Sequence, residues 1–148
     1  MLPNAKITEQ LALLATIDPV SQAAGTVTTG WLSAAAFERF MASIRTGVLG
    51  ASATVDAKLQ QATDSSGTGV KDVTGKAITQ IVKASGDNKQ AIINLRAEEL
   101  DTNGGFGYFR LSITVGTATS LITAEVWGGV AKNLPASAQN QAGVVQIV

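Results

Sequence analysis

The side chains best suited to chemistry are set first by what is missing: the 148 residues include no histidine and no cysteine. Imidazole general bases, thiol nucleophiles, zinc–thiolate sites and disulfides are therefore excluded by inventory. Serines abound, but a serine triad of the usual kind cannot be assembled without histidine. The remaining candidates are carboxylates. Glu98, Glu99 and Asp101 invite a glycosidase reading, because glycoside hydrolysis needs two facing carboxyl groups. Neighbouring Glu98 and Glu99, however, point to opposite faces of a strand. Nothing in the sequence brings Asp56 or Glu125 beside them. Carboxylates paired with Lys or Arg across a sheet are the simpler account.

Two loop motifs are weaker still. Gly67-Thr68-Gly69-Val70-Lys71 is glycine-rich but lacks the GxxxxGK[ST] spacing of a phosphate cradle. Asp64, Ser66 and Thr68 have the one-three-five spacing of a calcium loop, yet Gly75 stands at the twelfth position, where Glu is needed. Trp31 and Trp127 could stack on sugars; large aromatics at a protein–protein contact or a core edge are commoner. No catalytic residue, metal or cofactor is expected, and the chain reads as a non-enzyme.

Composition points the same way. Hydrophobic residues make up 45% of the chain and charged residues 15%, against about 25% charged in a typical domain. Low charge with high hydrophobicity speaks for a folded domain rather than disorder. Eleven Lys and Arg balance eleven Asp and Glu, so there is no cationic surplus for a phosphate backbone, and nucleic acid is not an expected partner. The apolar run Leu11 to Ile17 is far shorter than the roughly 20 residues of a bilayer span. Flanked by Glu9 and Asp18-Pro19, it also makes a poor signal-peptide core. No membrane association is expected.

These side chains must be positioned by strands, because the clearest periodicity is two. Ala53 to Thr63 sets Val55, Ala57 and Leu59 against Asp56, Lys58 and Gln60. Ala91 to Leu100 sets Ile93, Leu95 and Ala97 against Asn94, Arg96 and Glu98. Tyr108 to Val115 opposes Phe109, Leu111, Ile113 and Val115 to Tyr108, Arg110, Ser112 and Thr114. Leu121 to Val130 carries Ile122, Ala124 and Val126 inward. Asn103-Gly104, Gly116 to Ser120 and Ser85 to Asn88 supply turns, and Asp64 to Asp72 a longer surface loop.

Pro3 and Pro19 discourage a long helix before residue 25, although Leu11, Leu14 and Ile17 would suit a short one. Phe37, Phe40, Met41 and Ile44 fall at i, i+3, i+4 and i+7, the phase of an amphipathic helix. A strand with Phe40, Ala42 and Ile44 inward also fits, and periodicity alone leans to helix. Regularly spaced strands with Gly/Asn/Ser turns predict an all-β chain: a single antiparallel β-sandwich, jelly-roll-like.

A resemblance adds to this reading. Gly30-Trp31, Phe37-Glu38-Arg39, Thr46 to Gly50 and Ala53 to Asp64 are similar to small structural proteins of tailed-phage and prophage morphogenesis clusters. The similarity continues through Lys71-Asp72, Lys76 to Gln80, Asp87 to Lys89, Arg96 to Asp101, Arg110 to Val115 and Gly128 to Lys132. In that family the segment after Phe37 is richer in Val and Ile, which implies a strand at about 38–46. The resemblance covers roughly 26–135 and implies a β-sandwich domain there. Residues 1–25 are then an N-terminal arm or first strand, and 136–148 a C-terminal arm.

The implied role is a virion structural protein of a tailed bacteriophage, made in the host cytoplasm. A decoration (cement) protein on the capsid surface is favoured, with the major capsid protein and copies of itself as partners. A neck, tail or fibre component, or a carbohydrate-binding module on the same fold, is the alternative. The apolar segments at the two ends are natural connectors, since an apolar free terminus can add a strand to a neighbour's open sheet. Both could equally be edge strands of the same domain. The candidate contact residues are Leu11, Leu13, Leu14, Ile17, Trp31, Trp127, Val144, Val145 and Ile147.

Overall fold

The computed structural model describes residues 2–148. A short helix α1 (Ile7–Gln10) leads into β1 (Leu11–Gln22), β2 (Gly25–Thr28), the two-residue β3 (Leu32–Ser33), β4 (Phe37–Thr46) and β5 (Thr54–Ala62). Then come β6 (Lys71–Ala77), the two-residue β7 (Ile81–Val82), helix α2 (Lys83–Gly86), β8 (Gln90–Arg96), β9 (Tyr108–Gly116) and β10 (Ser120–Ala131).

One sheet runs β1-β10-β4-β8 and the other β2-β9-β5-β6, with β3 joined to β9 and β7 to β5. Setting the two short strands aside, the antiparallel pairs β1·β10, β2·β9, β4·β8 and β5·β6 nest inside one another. This is one long hairpin rolled up until its two layers face each other, which is the strand order of a jelly roll. The chain is an all-β, antiparallel jelly-roll sandwich.

The period-two segments form the strands expected of them, because each puts one face against the opposite sheet. Val55, Ala57 and Leu59 of β5 and Phe109, Leu111, Ile113 and Val115 of β9 are buried. They meet Phe40, Ala42 and Ile44 of β4 and Ile122, Ala124 and Val126 of β10. Three phenylalanines close one end of this core, with ring centroids 6.2 Å apart for Phe37–Phe40 and 4.6 Å for Phe40–Phe109.

The helix-phased segment is a strand. Phe37 and Phe40 are both buried although Arg39 between them is exposed. That break in alternation lies between the Phe37–Ala131 and Arg39–Gly129 pairs, beside Val130, whose φ is +54°. The irregularity imitates helical spacing. The strand expected over Ala91–Leu100 ends earlier, at Arg96, and Ala97–Glu99 forms a 3-10 turn. The Glu99 carboxylate folds back to accept the Arg96 N–H at 2.8 Å, which stops the strand.

At the ends, residues 11–22 take the first-strand alternative of the N-terminal segment, with Ala12, Ala15 and Ile17 in the core. Pairing with β10 is interrupted between Leu13 and Ala15 and again between Ile17 and Val20. Pro19 falls in the second interruption, where an outer strand needs no N–H. After the 3-10 turn Ala136–Gln139, the tail docks on the outer side of β1. The Leu13 N–H donates to Asn140 Oδ1 at 2.8 Å, and the Gln141 N–H donates to the Leu13 carbonyl at 2.8 Å. The Gln141 amide reaches the Thr16 hydroxyl at 3.2 Å. Residues 2–10 are gathered by the Gln10 side chain, which bonds the backbone of Leu2 and Ala5.

Gly128 is required by close approach: a Cβ there would lie 2.8 Å from the Phe37 ring and 2.9 Å from Leu14 Cδ1. Gly128→Ala is expected to lower stability by about 1–3 kcal/mol through overpacking, measured as a shift in the urea midpoint at unchanged m-value. A wild-type midpoint would remove this account of the glycine.

Candidate functional site

The outer face of the first sheet carries the one place where several of the expected contact residues meet. Leu13 stands opposite Trp127 in the β1·β10 register, and Leu11 opposite Gly129. Both leucines are half-buried, facing outward beside the indole. Because Asn140 and Gln141 fix the tail at Leu13, the following residues pass in front of this row. Leu11, Leu13, Trp127, Val144 and Ile147, together with the polar Thr8, Asn140 and Gln146, line a cleft of about 290 Å³. No charged side chain lines it. The indole N–H donates to Glu125 Oε2 at 3.1 Å, which satisfies its polar edge and leaves its apolar body to the cleft. Arg45, 3.7 Å from the same carboxylate oxygen, steadies Glu125.

Leu11 also borders a second recess of about 210 Å³ with Leu2, Val130 and Leu134. Val130 is 63% exposed and holds a left-handed φ of +54°, a conformation that costs a β-branched residue about 1–3 kcal/mol. Val145 projects beyond both recesses, 95% exposed.

Three of the expected residues lie elsewhere. Ile17 is a core residue, 5% exposed. Leu14 occupies the first interruption of β1 and packs inward, near Gly128. Trp31 belongs to the other side of the molecule, beside β9. The Arg110 guanidinium lies 4.5 Å from its ring centroid, and Gly67 packs so close that a Cβ would fall 2.5 Å from the indole nitrogen. Arg110 is itself held by Gln60, through Nε at 3.0 Å and Nη2 at 2.9 Å. The Trp31 ring is thus already engaged within the chain. Leu2, Val130 and Leu134 were not expected to join a contact surface, and their scattered positions gave no periodic signal.

The carboxylates are engaged one by one. Glu98 pairs with Arg96 at 2.8 Å, Glu99 with Lys76 at 2.8 Å and Asp101 with Lys71 at 2.6 Å. The hydrogen bond from Lys76 is the largest influence holding Glu99 below its ordinary pKa, and the one from Lys71 does the same for Asp101. Asp101 also caps Gly104 through its N–H, and Lys71 lies 4.1 Å over the Phe106 ring. Asp56 accepts from Gln80 at 2.8 Å. Asp64, first residue of the calcium-like spacing, turns its Oδ1 onto the N–H groups of Ser66 and Thr68 within its own loop. Among the described residues no three His, Cys, Asp or Glu side chains are grouped to hold a metal. Among the described residues no helix is long and apolar enough to cross a membrane.

No protein-family model and no curated protein sequence matches the chain. Several solved structures share its outline. The SPBc2 prophage-derived protein YomS aligns with a TM-score of 0.46 and 8% identity, covering 80% of this chain and 91% of that one. A chain of Broad Bean Stain Virus aligns with a TM-score of 0.47 and 9% identity, covering 90% of each. The CBM22-1 xylan-binding domain of Paenibacillus barcinonensis Xyn10C aligns with a TM-score of 0.41 and 15% identity, covering 83% of each. These TM-scores all fall below 0.5, so the jelly-roll assignment rests on the strand order of the chain itself.

Proposed function

We propose that this protein is a non-enzymatic structural component of a tailed-phage virion, a decoration protein that binds the outside of the head lattice. The observation that carries the reading is the cleft around Trp127, lined by no charged side chain and assembled from the first strand, the last strand and the tail. The family resemblance of residues 26–135 supplies the setting. A rigid sandwich seated where shell subunits meet would stabilise the shell by linkage, since its binding free energy exists only for the assembled state. Many copies on one particle would add avidity without new contacts. Zero net charge suits a surface that is covered by a neighbour.

Trp127→Ala is expected to weaken binding to particles stripped of the protein by about 30-fold, the loss of one aromatic anchor worth roughly 2 kcal/mol. Removal of residues 143–148 should also lower occupancy while leaving the far-UV spectrum unchanged. Co-sedimentation reads both, and wild-type occupancy in both would refute the cleft as the attachment site. Copy number in purified particles tests the location: hundreds place the protein on the head, and a dozen or fewer would transfer the role to neck, tail or fibre. Saturable binding on a glycan array would instead support a carbohydrate module.

A further inference from the structure

Strand edges are a hazard that folded proteins blunt with bulges, prolines, charges or coverage. The two sheets end in four edges: β1, β8, β2 and β6. Edge β1 is interrupted twice, contains Asp18-Pro19 and has the tail latched to Leu13. Edge β2 is four residues long and starts at Gly25 with φ +148°. Edge β6 breaks its register with β5 between Lys58 and Gln60 and bends at Gly75, with φ +74°.

Edge β8 has no bulge and no proline, and its one charged residue, Arg96, stands at its end. Its seven residues pair with β4 without a break, from Arg39–Arg96 to Arg45–Gln90. The Thr46 N–H donates to the Lys89 carbonyl at 2.8 Å, which fixes the phase of the ladder. Lys89, Ala91, Ile93 and Leu95 therefore aim their backbone groups at β4, and Gln90, Ile92, Asn94 and Arg96 aim theirs outward. Glu99 takes the Arg96 N–H. Among the described residues no backbone partner reaches the outward groups of Gln90, Ile92 or Asn94. The Ile92 side chain, 58% exposed, sits beside them.

We propose that β8 is a self-association edge, on which a second copy of this chain lays its own β8 antiparallel across a two-fold axis. The two β1-β10-β4-β8 sheets then become one continuous sheet. Full overlap of the strand with itself centres the pairing on Ile93. Ile92 then exchanges hydrogen bonds with Asn94 of the second copy, and Gln90 faces its Arg96.

Charge agrees with this register. Lys89, which joins no ion pair among the described residues, arrives beside Ala97-Glu98 of the second copy. A register centred on Ile92 would instead set Lys89 opposite Leu95, away from Glu98, and shorten the overlap. The edge acts independently of whatever the Trp127 cleft binds.

Light scattering of the full chain from low to high micromolar concentration is expected to show a species of twice the 15.1 kDa chain mass. Ile92→Pro removes an N–H that serves no internal bond, and Ile92→Lys places a charge on the edge. Each should raise the dimer dissociation constant about tenfold or more with an unchanged far-UV spectrum. Should the proline variant unfold, the lysine variant carries the test. Lys89→Glu should weaken the dimer in a salt-dependent way. A wild-type chain that stays monomeric, or a dimer that Ile92→Lys leaves intact, overturns the proposal. So does a dimer lost only when residues 143–148 are removed.

Discussion

Phe109→Ala is expected to cost about 3–5 kcal/mol of unfolding free energy. Set against roughly 5–15 kcal/mol for a domain of this kind, that is enough to leave a large unfolded fraction on mild heating. Phe109 is fully buried on β9 and meets Phe40 of the facing sheet at 4.6 Å between ring centroids. Truncation would open a void between the two layers, beside Phe40 of the facing sheet. Neither layer can close it alone, because each is fixed by its own ladder of strands. Urea unfolding followed by tryptophan fluorescence measures the loss. Phe109→Leu retains part of the volume and should cost less. Equal midpoints for wild type and Phe109→Ala would mean that the aromatic cluster does not couple the sheets.

Acid should have the second large effect, and it should act unevenly. Lys58 holds Asp72, Lys83 holds Asp87, Lys76 holds Glu99 and Lys71 holds Asp101, each below its ordinary value chiefly through a direct hydrogen bond. The Thr68 side chain, with backbone N–H groups, does the same for Asp64. A carboxylate with a depressed folded pKa contributes stability above its unfolded value. That contribution is lost as pH falls from 4.5 for Glu and 3.8 for Asp through the lower folded values. Every one of these groups is partly exposed to solvent, so each contribution is modest and the effect is their sum.

Three of the pairs involve β6 or its start: Lys58–Asp72, Lys71–Asp101 and Lys76–Glu99. Below about pH 4 the amides of β6 are therefore expected to exchange with solvent before those of β9. With no histidine in the chain, the melting temperature should be flat from about pH 6 to about pH 8. Simultaneous loss of protection in β6 and β9 would show that the ion pairs do not anchor that edge.

The parts of this architecture visible in the sequence are those where one face is buried along a whole strand. β5, β9 and β10 carry apolar residues at alternate positions because those side chains meet the opposite sheet, although Ser112 of β9 is buried as well. β2 and β6 are outer strands with mostly exposed residues, so nothing forces alternation and the sequence is silent about them. The Phe37 to Ile44 segment carries two signals because a local backbone irregularity turns Phe37 inward out of phase. Helix and strand both fit the residues, and the family resemblance decides for the strand.

The contact surface was legible as residue types but not as a place. Leu11, Leu13, Trp127, Val144 and Ile147 were singled out separately. Their meeting depends on the pairing of the first long strand with the last and on a side-chain amide at Asn140, a purely tertiary arrangement. The same dependence separated Trp31 from Trp127: the two indoles read alike in sequence, yet they lie by different sheets.

The nested pairing of strands also dictates the order in which the molecule can be made. Leu11 must wait for Gly129, and Leu13 for Asn140, before the first strand gains its neighbours on either side. During synthesis β1 leaves the ribosome with its apolar residues and backbone unmatched, and it stays so until β10 and Asn140 have followed. Long-range closure of this kind is slow and leaves intermediates open to association. Asp18, Pro19 and the interruptions of β1 are then safeguards for the nascent chain as much as for the finished one. Removing them should show first as a lower yield of soluble protein, before any change in the melting temperature of what does fold.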